Sequence, residues 1–439
     1  MKEHARYERM MTTPVKEAPW YRLDNTGKLY PGVISSRVTS LFRIQALMKK
    51  PVHAGALQRA LTACMKRFPY YCVQLKAGFF WYYFDTNTGT PSVHADSRYP
   101  CRKRTLTRRG AFPFQVYAYK TMIAVEFSHA LTDGMGALTF FKTLLAVYLT
   151  ECGVVIDDWT GILRVDETPD EGEYRDDFIT HFEKGLPKLK RMDAAYHISD
   201  EPEDPGIYHI TTGIIPANVL VAQAKKNGVS VSAFIIATAF MALQDIVIAQ
   251  SHDRLDHRDL RPLRIVVPVN IRSFFSSKSM RNFFIPIFPE IDLRLGTYTF
   301  EEVAAHVYHY LSMVINEKTV RRQLARNVRA ELAVANRMAP LFLKNIVLRR
   351  LYRTLGEDTK TTSMSNLGIV SLPQSMSEHI ERFDLIPDPS AITTVSGGII
   401  TFGNTMSITF GRTSMEPILE KLFFRRLVSM GVPVKIITN

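Results

Sequence analysis

The sequence predicts a mixed α/β protein made of two halves of similar size. Three observations carry that expectation. Strand-like and helix-like stretches alternate along all 439 residues, which fits neither an all-α nor an all-β layering. Residues 155–206 break the alternation with acid- and proline-rich sequence, VDETPDEGEYRDD and SDEPEDPG. The second half then repeats the mixture of the first. The expected division is 1–165, a linker over 166–204, and 205–439.

The elements follow in order. HAGALQRALTACMKRFP, His53 to Pro69, sets Leu57, Ala60, Leu61 and Cys64 at helical spacing and stops at Pro69. YYCVQLKAGFFWYYF reads as two strands around Lys76-Ala77-Gly78, with Trp81, Tyr82 and Tyr83 assigned to the core. PFQVYAYKTMIAVEFSH alternates on either side of a turn near Lys120, and its second arm, Met122 to Ser128, ends at His129. Residues 134–150 form the next helix, with Gly153 as its stop. The linker holds one further helix. Beyond it, Ala217 to Asn227 is helical and ends at Gly228, and another helix runs from Ser230 to about Ile248. LRIVVPVNIR is a buried strand, and FFIPIFPEIDL is a second whose prolines place it at an edge or in irregular pairing. Helices fill much of 299–353. SAITTVSGGIITFGNTMSITFGR is a hairpin turning at Gly403-Asn404. Pro417 to Met430 is a closing helix and VPVKIIT a last strand.

Composition narrows the class. Hydrophobic residues make up 46% and charged residues 22%, the usage of an ordinary globular protein, and the length allows cores that need no staples. Cys64, Cys72, Cys101 and Cys152 stand at irregular spacings without a C-x-x-C pair. Neither a zinc site nor a dithiol redox centre is indicated, and reduced thiols are expected. The N-terminus, MKEHARYERMM, lacks the apolar stretch of a secretory leader, and no uncharged apolar run reaches about 18 residues. VSVSAFIIATAFMALQDIVI, the most apolar helix, is expected inside the fold. The protein is therefore expected in the cytoplasm.

Net charge is +13 and the pI near 9.5, so the surface attracts anions. The excess is uneven. Residues 318–353 hold ten Lys or Arg (Lys318, Arg321, Arg322, Arg326, Arg329, Arg337, Lys344, Arg349, Arg350, Arg353) against the single acid Glu331, and RKRTLTRR spans Arg102 to Arg109. A solvated basic face is one account of this charge. Nucleic acid is not expected as a partner, because no nucleic-acid motif accompanies it. In MAPLFLKNIVLRRLYRTLG, Met338 to Gly356, Leu341, Phe342, Ile346, Val347 and Leu351 alternate with basic residues at helical spacing. Two readings stand: a core helix with its basic face outward, which is preferred, and a helix lying on an anionic membrane.

The stretch that carries chemistry is FSHALTDGMGALTFF, Phe127 to Phe141. A neutral imidazole at a strand end can take a proton from a hydroxyl or amine near neutral pH, provided that it faces a cleft in one tautomer. Asp133, four residues on, could orient His129, cap the following helix or pair with a distant cation. Gly134 and Gly136 allow a tight turn and close approach. A dinucleotide loop is excluded, because Thr139 stands where the third glycine belongs. The other histidines, His181, His197, His252 and His257 among them, lie in polar stretches and are expected at the surface.

This stretch resembles the H-x-x-x-D-G signature of the chloramphenicol-acetyltransferase-like superfamily. That superfamily includes alcohol acetyltransferases, wax-ester synthases that are also diacylglycerol acyltransferases, and nonribosomal peptide condensation domains. Three further features agree in order: MKRFPYYCVQLK after the early helix, PVNIR at Pro268 to Arg272, and SNLGIV at Ser365 to Val370. The resemblance spans most of the chain and is nearest in character to bacterial alcohol-acetyltransferase-like proteins, from WYRLDNTGKLYPGVISS onward.

What the resemblance implies is specific. Two chloramphenicol-acetyltransferase-like subdomains form a V around a central channel, with a crossover segment near 360–375. His129 is the general base, Asp133 pairs with Arg272 to hold the loop, and Gly134 allows close packing there. Ser365, Asn366 and Gly368 line the channel or help hold an oxyanion. No cofactor is permanently bound. Acyl-CoA, acetyl-CoA in particular, is the co-substrate, an alcohol or lipid is the acceptor, and an acyl-carrier protein is the alternative donor. Either donor is anionic and suits the basic surface. Read without the family, Arg272 is a surface or capping arginine and Ser365–Gly368 an ordinary turn. The sequence departs from condensation domains and wax-ester synthases at Ser128, where those enzymes usually carry a second histidine. TFGNTMSITFGRT matches the D-F-G-type segment of plant acyltransferases by position only. The implied activity is an acyl-CoA:alcohol O-acyltransferase. A carrier-dependent condensation-like enzyme and a non-catalytic basic lipid- or partner-binding protein are the alternatives.

Overall fold

The computed structural model describes residues 20–250, 260–333 and 338–439. The N-terminal MKEHARYERMM, His252, His257 and Arg337 lie outside the described residues. The first half contains strands β1 (Trp20–Arg22), β2 (Leu41–Met48), β3 (Val73–Ala77), β4 (Tyr82–Thr86), β5 (Val93–Ala95), β6 (Phe114–Tyr119) and β7 (Met122–Ser128), with helices α1 (Ala54–Arg67) and α2 (Gly134–Glu151). The second half contains β8 (His209–Pro216), α3 (Ala217–Lys226), α4 (Val231–Gln250), β9 (Leu263–Asn270), β10 (Phe284–Ile287) and β11 (Glu290–Ile291). There follow α5 (Phe300–Val314), α6 (Glu317–Leu332), α7 (Leu341–Leu351), β12 (Thr362–Val370), β13 (Ile380–Ile386), β14 (Val395–Phe402), β15 (Thr405–Arg412), α8 (Ile418–Ser429) and β16 (Lys435–Thr438).

These strands form three mixed or antiparallel sheets. The first half has a small sheet, β1-β4-β3, and a five-stranded sheet, β13-β2-β7-β6-β5. The second half has the order β10-β9-β12-β14-β15-β8-β16, with β11 also on β9. Pro286 sits on β10, the outer strand, where its missing N–H costs no ladder bond. β6 alternates buried and half-buried residues, whereas β7 is buried on both faces after its first residue. Helices α2 and α4 are apolar all round, as helices in the middle of a core must be. By length and composition α4 could cross a membrane, but it packs on α5, α8 and β9 and is mostly buried there.

Several expectations need correction. The segment 360–375 does not leave its sheet: β12 lies between β9 and β14. The strand that crosses is β13, which pairs antiparallel with β2 in the sheet of the first half. Its Phe383 and Leu385 therefore belong to the first core, beside Ile44 and Phe141. The linker is built into both halves. Glu173 is buried against Arg67 at 2.6 Å and Tyr70 at 2.6 Å, while Phe178 packs with Phe283, Val320 and Leu324. Its helix is a single turn, Asp177–Thr180. Trp81, Tyr82 and Tyr83 are half-buried, because β4 lies in a small outer sheet. His181 and His197 are half-buried too, with ring nitrogens shut away from solvent. Burial holds both imidazoles below their usual range. Helix α7 is not a core helix: Phe342, Leu343, Ile346, Val347 and Leu351 are exposed, and Lys344 is buried.

The halves meet where the segment Ser279–Phe283 runs past the start of α2. The Met280 carbonyl accepts bonds from the Thr132 hydroxyl at 2.6 Å and the Tyr71 hydroxyl at 3.0 Å. Gly136 makes that approach possible, since a Cβ there would lie 2.5 Å from the Met280 carbonyl oxygen and closer still to the Thr132 hydroxyl. A Cβ at Gly134 would meet only the tip of Leu367, at 2.6 Å. Farther along the second half, Glu357 is buried on Lys360 at 2.8 Å and also accepts from Ser390 and the Thr393 N–H.

Gly136→Ala is expected to destabilise the fold by about 3 kcal/mol or more, and Gly134→Ala by about 1 kcal/mol, because main chain cannot yield as a leucine tip can. Chemical denaturation of both variants checks the ranking. The Lys360 ammonium and the hydrogen-bond donors around Glu357 outweigh burial and hold its carboxyl down at about 2. A depressed carboxyl stabilises the fold above its unfolded value, near 4.5, and loses that contribution as pH falls toward about 2. Glu357→Gln should therefore cost up to about 3 kcal/mol at neutral pH. The gap to wild type should close on acidification, as read from thermal melts across pH.

Candidate active site

β7 carries His129 to the end of the five-stranded sheet, where the chain turns into α2. Its main chain is fixed on both sides: the N–H donates to the Ser40 carbonyl at 2.9 Å, and the carbonyl accepts from the Asn282 amide at 2.9 Å. The ring lies between aromatic walls. Tyr30 stacks on it at 4.9 Å and 20°, Phe42 lies 4.4 Å away, and Phe284 of the second half stands at 6.5 Å. Nδ1 is buried without a hydrogen-bond partner, so the open nitrogen is Nε2. Burial pushes the Tyr30 phenol far up, which keeps that hydroxyl protonated beside the imidazole. Ser128 is wholly buried, and its hydroxyl accepts the Ala130 N–H at 3.2 Å.

Asp133 does not reach His129. One carboxylate oxygen caps α2, accepting the N–H groups of Met135 at 3.1 Å and Gly136 at 3.0 Å. The same oxygen accepts from Arg272 at 2.9 Å. The other takes the Phe283 N–H at 2.8 Å and the second Arg272 nitrogen at 2.9 Å. The pair is therefore a two-pronged fork between the halves. Arg272 also donates to the carbonyls of Ser279 at 2.8 Å and Arg281 at 2.7 Å. Of the roles open to Asp133, cap and distant ion pair are both realised.

The sequence reading missed the residues that complete this corner. Asp24 is buried and accepts from the Asn282 side chain at 2.9 Å and the Gly27 N–H at 2.7 Å. Burial raises its carboxyl against the pull of these donors. Asn282 thus bridges Asp24 to the His129 carbonyl. Tyr30, Phe42 and Phe284 supply the walls. Asp24 and Tyr30 lie in WYRLDNTGKLYPGVISS, but no local pattern gave any of these residues a role, because each acts across a sequence gap of tens to hundreds of residues.

Ser365, Asn366 and Gly368 lie on β12 at a bulge: the register with β14 slips between Asn366 and Ile369. Gly368 has φ +75, which suits glycine, and its N–H donates to the Asn366 side chain at 2.8 Å. The other end of that amide reaches the Ser232 hydroxyl at 3.3 Å. Between them Leu367 points at Gly134. Three stretches far apart in sequence thus converge: Phe127–Phe141, Pro268–Arg272 and Ser365–Gly368. The corner offers one open imidazole nitrogen held by packing, a neutral phenol and a rigid two-half frame. That is equipment for moving a proton at a fixed point.

No family model matches the chain, and no curated protein matches it. Solved structures do. TRI101 of F. sporotrichioides, complexed with coenzyme A and T-2, aligns at TM-score 0.59 and 11% identity over 95% of this chain and 99% of that one. TRI3, trichothecene 15-O-acetyltransferase of Fusarium sporotrichioides, aligns at 0.57 and 9% over 93% and 94%. The first condensation domain of the CDA synthetase aligns at 0.58 and 13% over 94% and 97%. Near-complete coverage in both directions at such low identity is a likeness of architecture. The chain has the mixed α/β, two-subdomain fold of the condensation-domain and chloramphenicol-acetyltransferase-like acyltransferase structures.

Proposed function

We propose that the protein is a cytoplasmic, thioester-dependent O-acyltransferase that moves an acyl group, acetyl in the first instance, from coenzyme A to an alcohol. The observation that supports this best is the setting of His129: a strand-end imidazole between both halves, with Nε2 open and the ring held by stacking. Nε2 takes the proton of the acceptor hydroxyl as its oxygen attacks the thioester carbon. The carbon–sulfur bond then breaks, and the proton passes from the imidazole to the departing thiolate. Asp133 and Arg272 are positioning residues, and the cap fixes α2 directly after the catalytic loop. Ser365 and Gly368 form a wall of the acyl site. Asn366 shapes that wall, since both ends of its amide are engaged.

The donor is the open choice within this reading. Both coenzyme A and an acidic carrier protein suit a chain of charge +13. The buried Ser128 favours coenzyme A, because no second imidazole stands beside His129.

Incubation with acetyl-CoA and a panel of alcohols and amines, followed by free-thiol release, tests the reading. Turnover with alcohols is expected. Activity with an acylated carrier and none with acyl-CoA would move the donor assignment, and inactivity with both would refute the acyltransferase. His129→Ala should lower kcat by about 10²–10⁴-fold with little change in melting temperature. Wild-type turnover in that variant removes the base assignment. Arg272→Ala should instead destabilise the fold by about 3–5 kcal/mol, because it strands a buried carboxylate. Arg272→Lys keeps the charge but loses the fork, and should recover only part of both stability and kcat.

A further inference from the structure

Helix α7 is turned inside out. A surface helix normally buries its apolar stripe and shows its charges. Here Lys344 is 6% exposed while Phe342 is 66%, Ile346 65% and Val347 52% exposed. The reason is local. The Lys344 ammonium donates to the Phe80 carbonyl at 2.8 Å and sits 3.5 Å from the centre of the Trp81 ring. Beside it, the Asn345 amide donates to the Tyr82 hydroxyl at 3.0 Å. With Lys344 and Asn345 turned inward, the helix presents Phe342, Leu343, Ile346, Val347 and Leu351 outward.

The exposed face continues onto a second element. The turn between β3 and β4 carries Phe79, 71% exposed, and Phe80, 41% exposed. It adjoins α7 directly, through the Leu341 N–H to the Phe79 carbonyl at 2.7 Å. Two unrelated elements therefore raise large apolar side chains on one side of the molecule, a patch of the kind that marks an interaction site. Among the described residues nothing covers it. Cations stand with it: Arg349, Arg350 and Arg353 are exposed, and at 3.6 residues per turn Arg350 falls on the same side as Phe342 and Ile346, with Arg353 just past the end of the helix. No acid occurs between Glu331 and Glu357.

We infer that α7 and the Phe79–Phe80 turn form a docking face for the surface of an anionic phospholipid bilayer. The chemistry selects that occupant. Apolar side chains enter the acyl boundary, and arginines beside them meet phosphate at headgroup level. A protein partner's apolar groove would match the phenylalanines but give the cations no counter-charge. The face also lies near the candidate active site. Arg349 donates to the Gly32 carbonyl at 2.8 Å, and Gly32 belongs to the turn Tyr30–Val33, whose Tyr30 stacks on His129. Docking would thus place the membrane against the helix that carries the Tyr30–Val33 turn, and with it the ring that stacks on His129. The inference concerns surface binding and stands whether or not the acyltransferase reading holds.

Vesicle co-sedimentation with the full chain tests it, using phosphatidylcholine vesicles with and without phosphatidylglycerol. Wild type should bind the anionic vesicles, bind neutral ones far less, and release in high salt. Phe342→Ser with Ile346→Ser should weaken binding by about tenfold or more. Arg350→Gln and Arg353→Gln should each cost about fivefold, on anionic vesicles only. Phe79→Ser tests the second element through a separate strand turn, so a misfolded α7 cannot imitate the result. Circular dichroism and melting should match wild type throughout, and acyl transfer to a soluble alcohol without vesicles should be unchanged. Absence of binding to anionic vesicles overturns the inference, as does binding indifferent to Phe342, Ile346 and Phe79. A stable dimer in solution that Phe342→Ser dissociates would also overturn it, assigning the face to a second copy.

Discussion

The carboxylate of Asp133 holds the candidate site together, because it ends three structures at once. It satisfies the first free N–H groups of α2, it closes a fork with Arg272, and it takes the Phe283 N–H. The helix belongs to one half, and the arginine and Phe283 to the other. The bridge is nearly dry, with side chains 6% and 13% exposed. A buried ion pair gains little over apolar residues of equal volume, but losing one partner is costly. Its value lies in register. A fork with two defined angles fixes how the second half meets the loop after His129, whereas an apolar contact would let the two slide.

The same economy governs the positive charge. Much of the basic run is not a solvated face. On α6, Arg322 and Arg329 donate to the carbonyls of Lys188 and Leu186, and Arg321 pairs with Glu183. These arginines strap the irregular stretch after residue 180 onto the helix, and satisfy carbonyls that no strand or helix serves. On α7 Arg349 likewise straps the Gly32 carbonyl, whereas Arg350 stays exposed. One continuous run of charge in the sequence thus divides between building the fold and furnishing a surface.

Most elements were legible because their signals are local. The helix from Ala54, the hairpin at Gly403-Asn404 and the strand that delivers His129 follow from period and turn chemistry within short windows. What was not legible needed a partner distant in sequence. β13, with Glu381, Arg382 and Asp384 among four apolar residues, does not read as a strand, and nothing within Ile380–Ile386 says that it joins β2 rather than its neighbours. A faint sign existed in Ser396-Gly397-Gly398: a Cβ at Gly398 would strike the main chain of Leu385, so the glycine marks where the crossing strand passes. The inversion of α7 was hidden for the same reason. Its period is genuine, but which face turns inward was decided by Phe80, Trp81 and Tyr82, more than 250 residues earlier.

A histidine that serves as a base is usually oriented by a hydrogen bond to the second ring nitrogen, and His129 is proposed for that role. Here Asp133 is fully committed elsewhere and Nδ1 has no partner, so another constraint must aim the ring. Stacking supplies it. Tyr30 is stacked on the imidazole at 20° and Phe42 is tilted against it at 32°, and turning the ring out of its plane would drive its edge into one of them. Tyr30 is itself placed by the turn that rests under α7, where Gly32 leaves room for Asn345. Phe42 is placed by β2, which lies between β7 and the crossing strand β13. The direction of Nε2 therefore depends on elements from both halves of the chain.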